Sequence, residues 1–95
     1  MEEQFIKIPY KILTQRNLSK GAKLLYGLIL SLSQYDKSCF ATNKYLAEQL
    51  VVSSKSISNY LKELKQLDLI KCDVDFRRIR KIYLNNSVKD YWLKC

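Results

Sequence analysis

Histidine is absent from this sequence, and its three cysteines, Cys39, Cys72 and Cys95, stand far apart with no Cys-x-x-Cys pair. The common zinc arrangements combine closely spaced cysteines and histidines, so no structural metal is expected. The commonest general base is also missing. There is no glycine-rich phosphate loop and no Ser or Cys beside a plausible base, and the carboxylates are scattered, so neither enzyme activity nor a cofactor is expected. The cysteines read as reduced thiols of a cytosolic protein, two of them acting as small core hydrophobes.

One proline and two glycines are too few breakers for a disordered chain, while 47% hydrophobic residues can fill a core. Ninety-five residues make one domain, 1–95. Long apolar runs are lacking too: the strongest, residues 22–32, has Lys20 and Lys23 at its mouth and falls short of the roughly 20 residues of a membrane span. The start, Met-Glu-Glu-Gln, is acidic where a signal peptide would be basic. A cytoplasmic location and no membrane partner are therefore expected. Acidic residues are the minority, 9 against 17 Lys and Arg, and the formal charge of +8 favours a polyanionic partner without specifying which.

Apolar spacing divides the chain into elements. Residues 5–13 mix apolar residues with lysine around Pro9, which pushes Ile8 towards an extended conformation; a short strand or extended lead-in and a helical turn are expected. Ser19 can cap a helix over 20–33 whose apolar residues go most of the way round, the pattern of a central packing helix buried from several sides. A polar loop over 34–38 leads to Cys39-Phe40-Ala41, long enough for one short strand. Thr42 or Asn43 then caps a short helix, Lys44 to Leu50, with Leu46, Ala47 and Leu50 inward. After Val51-Val52-Ser53 a third helix runs from about Ser54 to Leu67. In it Ile57, Leu61 and Leu64 recur at i, i+4 and i+7, joined by Tyr60 and Leu67, and Lys55, Ser58, Asn59, Lys62 and Lys65 lie outside the stripe. Beyond Asp68 the period falls to two: Ile70, Cys72 and Val74 alternate with Lys71 and Asp73, and a turn around 75–77 leads to a strand from Arg78 to Leu84 with Ile82 and Leu84 inward. Val88, Tyr91 and Trp92, at helical spacing, mark a short tail helix that packs back on the domain or on a second copy. The seven tyrosines form no row along one strand, as single-strand stacking would need, and read as core.

This order of elements is that of a winged helix-turn-helix, an α+β fold, mostly α, with three helices, a short strand and a C-terminal two-stranded wing. The helix-turn-helix covers about 43–67 and the wing about 69–84. Ala47 is the small residue where the two helices touch. Val51 occupies the turn position where a left-handed Gly is usual, and a β-branched residue is poorly suited to positive φ, so a different or strained turn is expected. The blocks Phe5-x-x-Ile8-Pro9-x-x-Ile12-Leu13, Leu18-Ser19-x-x-Ala22-Lys23-Leu24-Leu25-Tyr26, Asn43-x-x-Leu46-Ala47-x-x-Leu50 and Ser56-Ile57-Ser58-x-Tyr60-Leu61-x-x-Leu64 carry a further likeness. From about residue 5 to 84 the chain resembles the helix-turn-helix domains of phage and plasmid replication proteins, including replication initiators of low-GC Gram-positive bacteria. Asp68 stands where that family has Gly after the third helix, and Asp tolerates the left-handed helix-ending conformation.

The resemblance implies binding of double-stranded DNA at an origin or operator by the third helix and the wing, with replication or transcription proteins as further partners. Ser54, Lys55, Ser56, Ser58, Asn59 and Lys62 would then face DNA, with Lys44 on the preceding helix. Asn59 either makes a bidentate contact to adenine or is a solvated helix residue; Lys55 and Lys62 suit phosphate. Ser53 or Ser54 is the helix cap in either case. Arg77, Arg78, Arg80 and Lys81 cluster at the wing, where they reach flanking backbone or minor groove, or form a solvated basic edge that discourages aggregation. Phe76 either packs under the hairpin or stays exposed. The alternative function is a winged helix that binds a protein, through the third helix or the tail Tyr91-Trp92-Leu93. A homodimer is a further expectation, since one recognition helix contacts few bases.

Overall fold

The computed structural model describes residues 6–33 and 39–84. In chain order the elements are α1 (Tyr10–Leu13), α2 (Lys20–Leu32), α3 (Asn43–Leu50), α4 (Ser54–Gln66), β1 (Ile70–Val74) and β2 (Arg80–Leu84). The single turn α1, which follows Pro9, adds a fourth helix to the three expected. The loop expected over 34–38 and the tail helix over 88–95 lie outside the described residues.

The other helices pack around α2, and the hairpin joins them through α4. The N-terminus of α2 is set by Ser19, whose Oγ accepts from the Ala22 N–H at 3.3 Å, and Ala22, Leu25, Tyr26, Leu28 and Ile29 are buried along it. Burial pushes the Tyr26 phenol well above its ordinary range, so it stays neutral. Both glycines of the chain lie on this helix, and each admits a neighbour that a Cβ would exclude. The Tyr60 ring of α4 covers Gly21, and Ile8 Cγ1 and Ile6 Cδ1 cross Gly27 at 2.9 and 3.1 Å from where its Cβ would stand. A second tie joins α2 to α4: the Glu63 carboxylate accepts from the backbone N–H and the hydroxyl of Ser19, both at 2.8 Å.

The amphipathic reading of the next two helices holds at their central positions, with Leu50, Tyr60 and Leu67 only half-buried against the core. Leu46 and Ala47 of α3 and Ile57, Leu61 and Leu64 of α4 are buried in one core with α2. Thr42 caps α3, accepting from the Tyr45 N–H at 3.1 Å, and Ser53 caps α4, accepting from the Ser56 N–H at 3.1 Å. The tyrosines depart from the core reading. Tyr26 is buried, but Tyr10 and Tyr45 are exposed, because the one-turn α1 buries only Ile12 and the short α3 only its Leu46-Ala47 face.

Val51 does adopt the left-handed conformation expected of Gly there, at φ 56° and ψ 51°. The Val52 N–H then reaches the Ala47 carbonyl at 3.0 Å and closes α3. Asp68, at φ 58°, ends α4 in the same way, with the Leu69 N–H on the Leu64 carbonyl at 3.0 Å. The strained alternative for the Val51 turn is therefore the one realised.

β1 and β2 form an antiparallel hairpin in the register Ile70–Leu84, Cys72–Ile82 and Val74–Arg80. The expected strand at Cys39-Phe40-Ala41 reduces to one bridge: Cys39 and Ile82 exchange two backbone hydrogen bonds of 2.8 Å, after which the chain turns to cap α3. Ile70, Ile82 and Leu84 are buried, but Val74 is exposed, because the hairpin runs past the end of the core. Cys39 is buried and Cys72 half-buried, both as free thiols, and burial pushes the Cys39 thiol up, towards its inert protonated form.

Left-handed backbone at a β-branched residue costs about 1–2 kcal/mol, and the Val51 side chain is 88% exposed, with little packing to lose. After subtracting the extra freedom of glycine in the unfolded chain, Val51→Gly should stabilise the domain by about 0.5–1 kcal/mol. Urea unfolding measures this; a lower midpoint for the variant would mean that contacts of Val51 outweigh its strain.

Candidate nucleic-acid interface

The side of α4 away from the core carries one stripe. Lys55, Asn59 and Lys62 recur at i, i+4 and i+7, all exposed, and with Ser54 and the exposed Lys44 of α3 they make no hydrogen bond or ion pair among the described residues. The only carboxylate of α4, Glu63, is turned away to Ser19, so it does not neutralise this stripe. The first turn of α4 holds no acidic residue, which leaves the positive end of the helix dipole unopposed.

Two of the serines expected on this face have partners within the protein. The Ser56 hydroxyl accepts from Ser53 Oγ at 3.0 Å as part of the cap. Ser58 Oγ accepts from Asn43 Nδ2 at 3.1 Å. Asn43 Oδ1 in turn accepts from the Arg80 guanidinium at 2.6 Å, and the same guanidinium donates to the Ala41 carbonyl at 2.7 Å. Arg80 is thus half-buried, on the side of β2 that carries Ile82 and Leu84, instead of reaching outward with the other wing cations, and it joins the tip end of β2 to α3 and α4. Asn43 is the centre of this chain. Its spacing in the sequence gave no sign of it beyond a candidate helix cap, because its partners are 15 and 37 residues away.

The wing tip is a tight loop. The Arg78 N–H donates to the Asp75 carbonyl at 2.9 Å, the Asp75 N–H donates to the Ile79 carbonyl at 3.2 Å, and Arg78 is left-handed at φ 63°. This is a turn followed by a left-handed bulge residue, a three-residue hairpin connection in which Gly is usual at the last position. It explains why β2 begins at Arg80 instead of the expected Arg78, which lies in the bulge. The Asp75 carboxylate holds the loop from inside, accepting from the Arg77 and Ile79 N–H groups at 2.8 and 3.1 Å and pairing with the Arg77 guanidinium at 3.2 Å. The Ile79 N–H above all, with Arg77, holds its carboxyl below the ordinary aspartate range. Of the four basic wing residues, Arg78 is exposed and without a partner among the described residues. Arg77 is exposed but paired, Arg80 is turned inward, and Lys81 lies over the Phe40 ring at 5.7 Å.

Residues 16–70 match the family described as a helix-turn-helix domain. The chain belongs to that family. No curated protein sequence matches this helix-turn-helix domain. Among solved structures it is similar to an MDR initiator, at 24% identity and a TM-score of 0.69 over 87% of this chain and 77% of that one. It is also similar to MepR, a transcription regulator of the Staphylococcus aureus multidrug efflux pump MepA, at 23% identity and a TM-score of 0.66; that alignment covers 88% of this chain but only 59% of MepR. A third likeness is to the N-terminal domain of a DNA-binding protein, at 21% identity and a TM-score of 0.65, covering 87% of this chain and 75% of the other. These likenesses place this helix-turn-helix domain in the winged-helix fold. Among its described residues no helix is long and apolar enough to cross a membrane, and no cluster of metal-ligating side chains occurs.

Two tests follow from the interface geometry. Asn43→Ala removes an acceptor from a half-buried guanidinium and a donor from Ser58, and should destabilise the domain by about 1–2 kcal/mol in thermal unfolding. A loss below about 0.3 kcal/mol would mean that water replaces Asn43 fully. The depressed Asp75 pKa makes its contribution to the loop complete at neutral pH and lost as pH falls through the folded value, below the ordinary aspartate range. The Arg77 and Ile79 amide resonances should therefore titrate together in that acidic window, and a midpoint at or above the ordinary value would refute the carboxylate clasp.

Proposed function

We propose that the domain binds double-stranded DNA sequence-specifically, with α4 in the major groove and the wing on flanking backbone or minor groove. The observation that carries this reading is the Lys55–Asn59–Lys62 stripe, exposed and without protein partners among the described residues, on a helix whose opposite face is locked into the core. In this reading Asn59 reads a base edge, for which adenine N6 and N7 are the geometric match, while Lys55, Lys62 and Lys44 bind phosphate and Ser54 presents the start of α4. Arg78, with Arg77 and Lys81 beside it, supplies the wing contact; Ser56, Ser58 and Arg80 act mainly by holding the cap and the wing in place. The site is an origin or operator of a plasmid or phage, and the domain serves a replication initiator or a small transcriptional regulator, as its likeness to an initiator and to a regulator suggests. Two copies on adjacent half-sites, one helical turn of about 34–36 Å apart, would extend the few bases that one α4 can reach.

Selection of duplexes from a random pool, repeated over a range of salt concentrations, tests this. Enrichment of one site with affinity falling steeply as salt rises is the expected result; unselective binding abolished by salt would leave only the charge. On the enriched site Asn59→Ala should relax base preference, whereas Arg78→Ala should weaken binding to all sequences and lower the salt slope by about one unit. If neither variant changes binding, α4 and the wing are not the DNA face.

A further inference from the structure

Two neighbouring residues at the wing tip break the rules of local structure. Phe76 is 94% exposed, the largest value among the exposed large hydrophobics of the described residues, and Arg78 holds a left-handed backbone that Gly or Asn would adopt more cheaply. The loop requires neither. It is closed by backbone hydrogen bonds and by the Asp75 carboxylate, and the position of Phe76, second in the turn, accepts most residue types. Nor does the core require Phe76, whose ring has the Arg77 guanidinium 5.7 Å from its centroid and is otherwise exposed. A fixed loop thus presents an aromatic ring to solvent, with Asp75 before it and Arg77 and Arg78 after it.

We propose that Phe76 is a wedge, entering the minor groove beside the sequence read by α4 and partly unstacking one base step there. This rests on the duplex-DNA reading above and adds to it a mode of recognition. Apolar side chains on minor-groove-binding elements act in this way, and the fixed backbone at 75–79 means that little ordering of the tip remains to be done on binding. Charge decides the partner. Arg77 and Arg78 follow the ring in the chain, and with Arg77 paired to Asp75 the tip keeps a net positive charge that attracts the phosphates of a groove, whereas two such tips from two copies of the chain would repel each other. Because the wedge deforms the duplex, it favours steps that unstack easily, so the domain prefers a pyrimidine–purine step in the flank where no hydrogen bond reads the base.

The experiment is selection from random duplexes with the wild-type chain, Phe76→Ala and Phe76→Leu, followed by titration of the enriched duplex carrying 2-aminopurine at the flanking step. The wild type should enrich TA or CA in one flank and raise the 2-aminopurine fluorescence on binding. Phe76→Ala should keep the central site, lose the flank preference and the fluorescence rise, and bind about ten-fold more weakly with an unchanged salt slope. Phe76→Leu, which keeps a wedge, should retain part of each. Urea midpoints of all three should coincide, which separates the effect from folding. The proposal is overturned if Phe76→Ala selects and binds as the wild type does, or if the enriched flank shows no fluorescence change. It is also overturned if the substitution dissociates a dimer in light scattering while the flank preference survives, since the tip would then be a contact between copies. Should the wild type enrich no site at all, the duplex-DNA reading itself fails.

Discussion

The close approach of neighbours to the two glycines of α2 is the constraint on which the rest of the structure depends. Because Gly21 has no Cβ, the tip of the Tyr60 ring from α4 can lie against α2. Gly27 does the same for the segment that leads into α1. The Glu63–Ser19 hydrogen bonds then fix α4 along the axis of α2, so that burial of Ile57, Leu61 and Leu64 leaves one defined stripe outward. The Lys55–Asn59–Lys62 stripe is therefore positioned from behind.

Using both glycines for packing leaves none for turns. The three left-handed positions of the described chain fall to Val51, Asp68 and Arg78, and no glycine has positive φ. Asp68 is the least strained, since Asp visits this region more readily than most residues. Val51 is the most, and it sits in the turn that sets the angle between α3 and α4, where the helix-ending hydrogen bonds to Ala47 offset its strain. Arg78 differs in having its side chain free at the wing tip.

The basic residues divide by what they touch. Arg80, through Asn43 and Ser58, joins wing, α3 and α4 into one body, so the spacing between wing and α4 is held by side-chain hydrogen bonds as well as by the hairpin. Arg77 steadies the loop that carries Arg78. Lys44, Lys55, Lys62 and Arg78 have no side-chain partner among the described residues; Lys55 and Lys62 share α4 with Asn59, Arg78 shares the wing tip with Phe76, and Lys44 lies on α3. A charge of +8 does not distinguish these two groups; their hydrogen bonds do.

The sequence by itself determined the longer elements, because burial follows periodicity: a change from 3.6 to 2 beyond Asp68 separates the α4 stripe from the alternation of the hairpin, and Ser19 marks the start of α2, whereas the structure chose Thr42 over Asn43 and Ser53 over Ser54 as the next two caps. It also determined that the chain is a helix-turn-helix domain and which residues of α4 are exposed. Tertiary structure decided what long-range contacts decide. Whether Tyr10 and Tyr45 lie in the core, whether Cys39-Phe40-Ala41 pairs over one residue or three, and whether Arg80 faces solvent or Asn43 all depend on which element lies opposite, and no local pattern encodes that. The Val51 turn was settled in the same way, by helix-packing geometry overriding the preference of a β-branched residue.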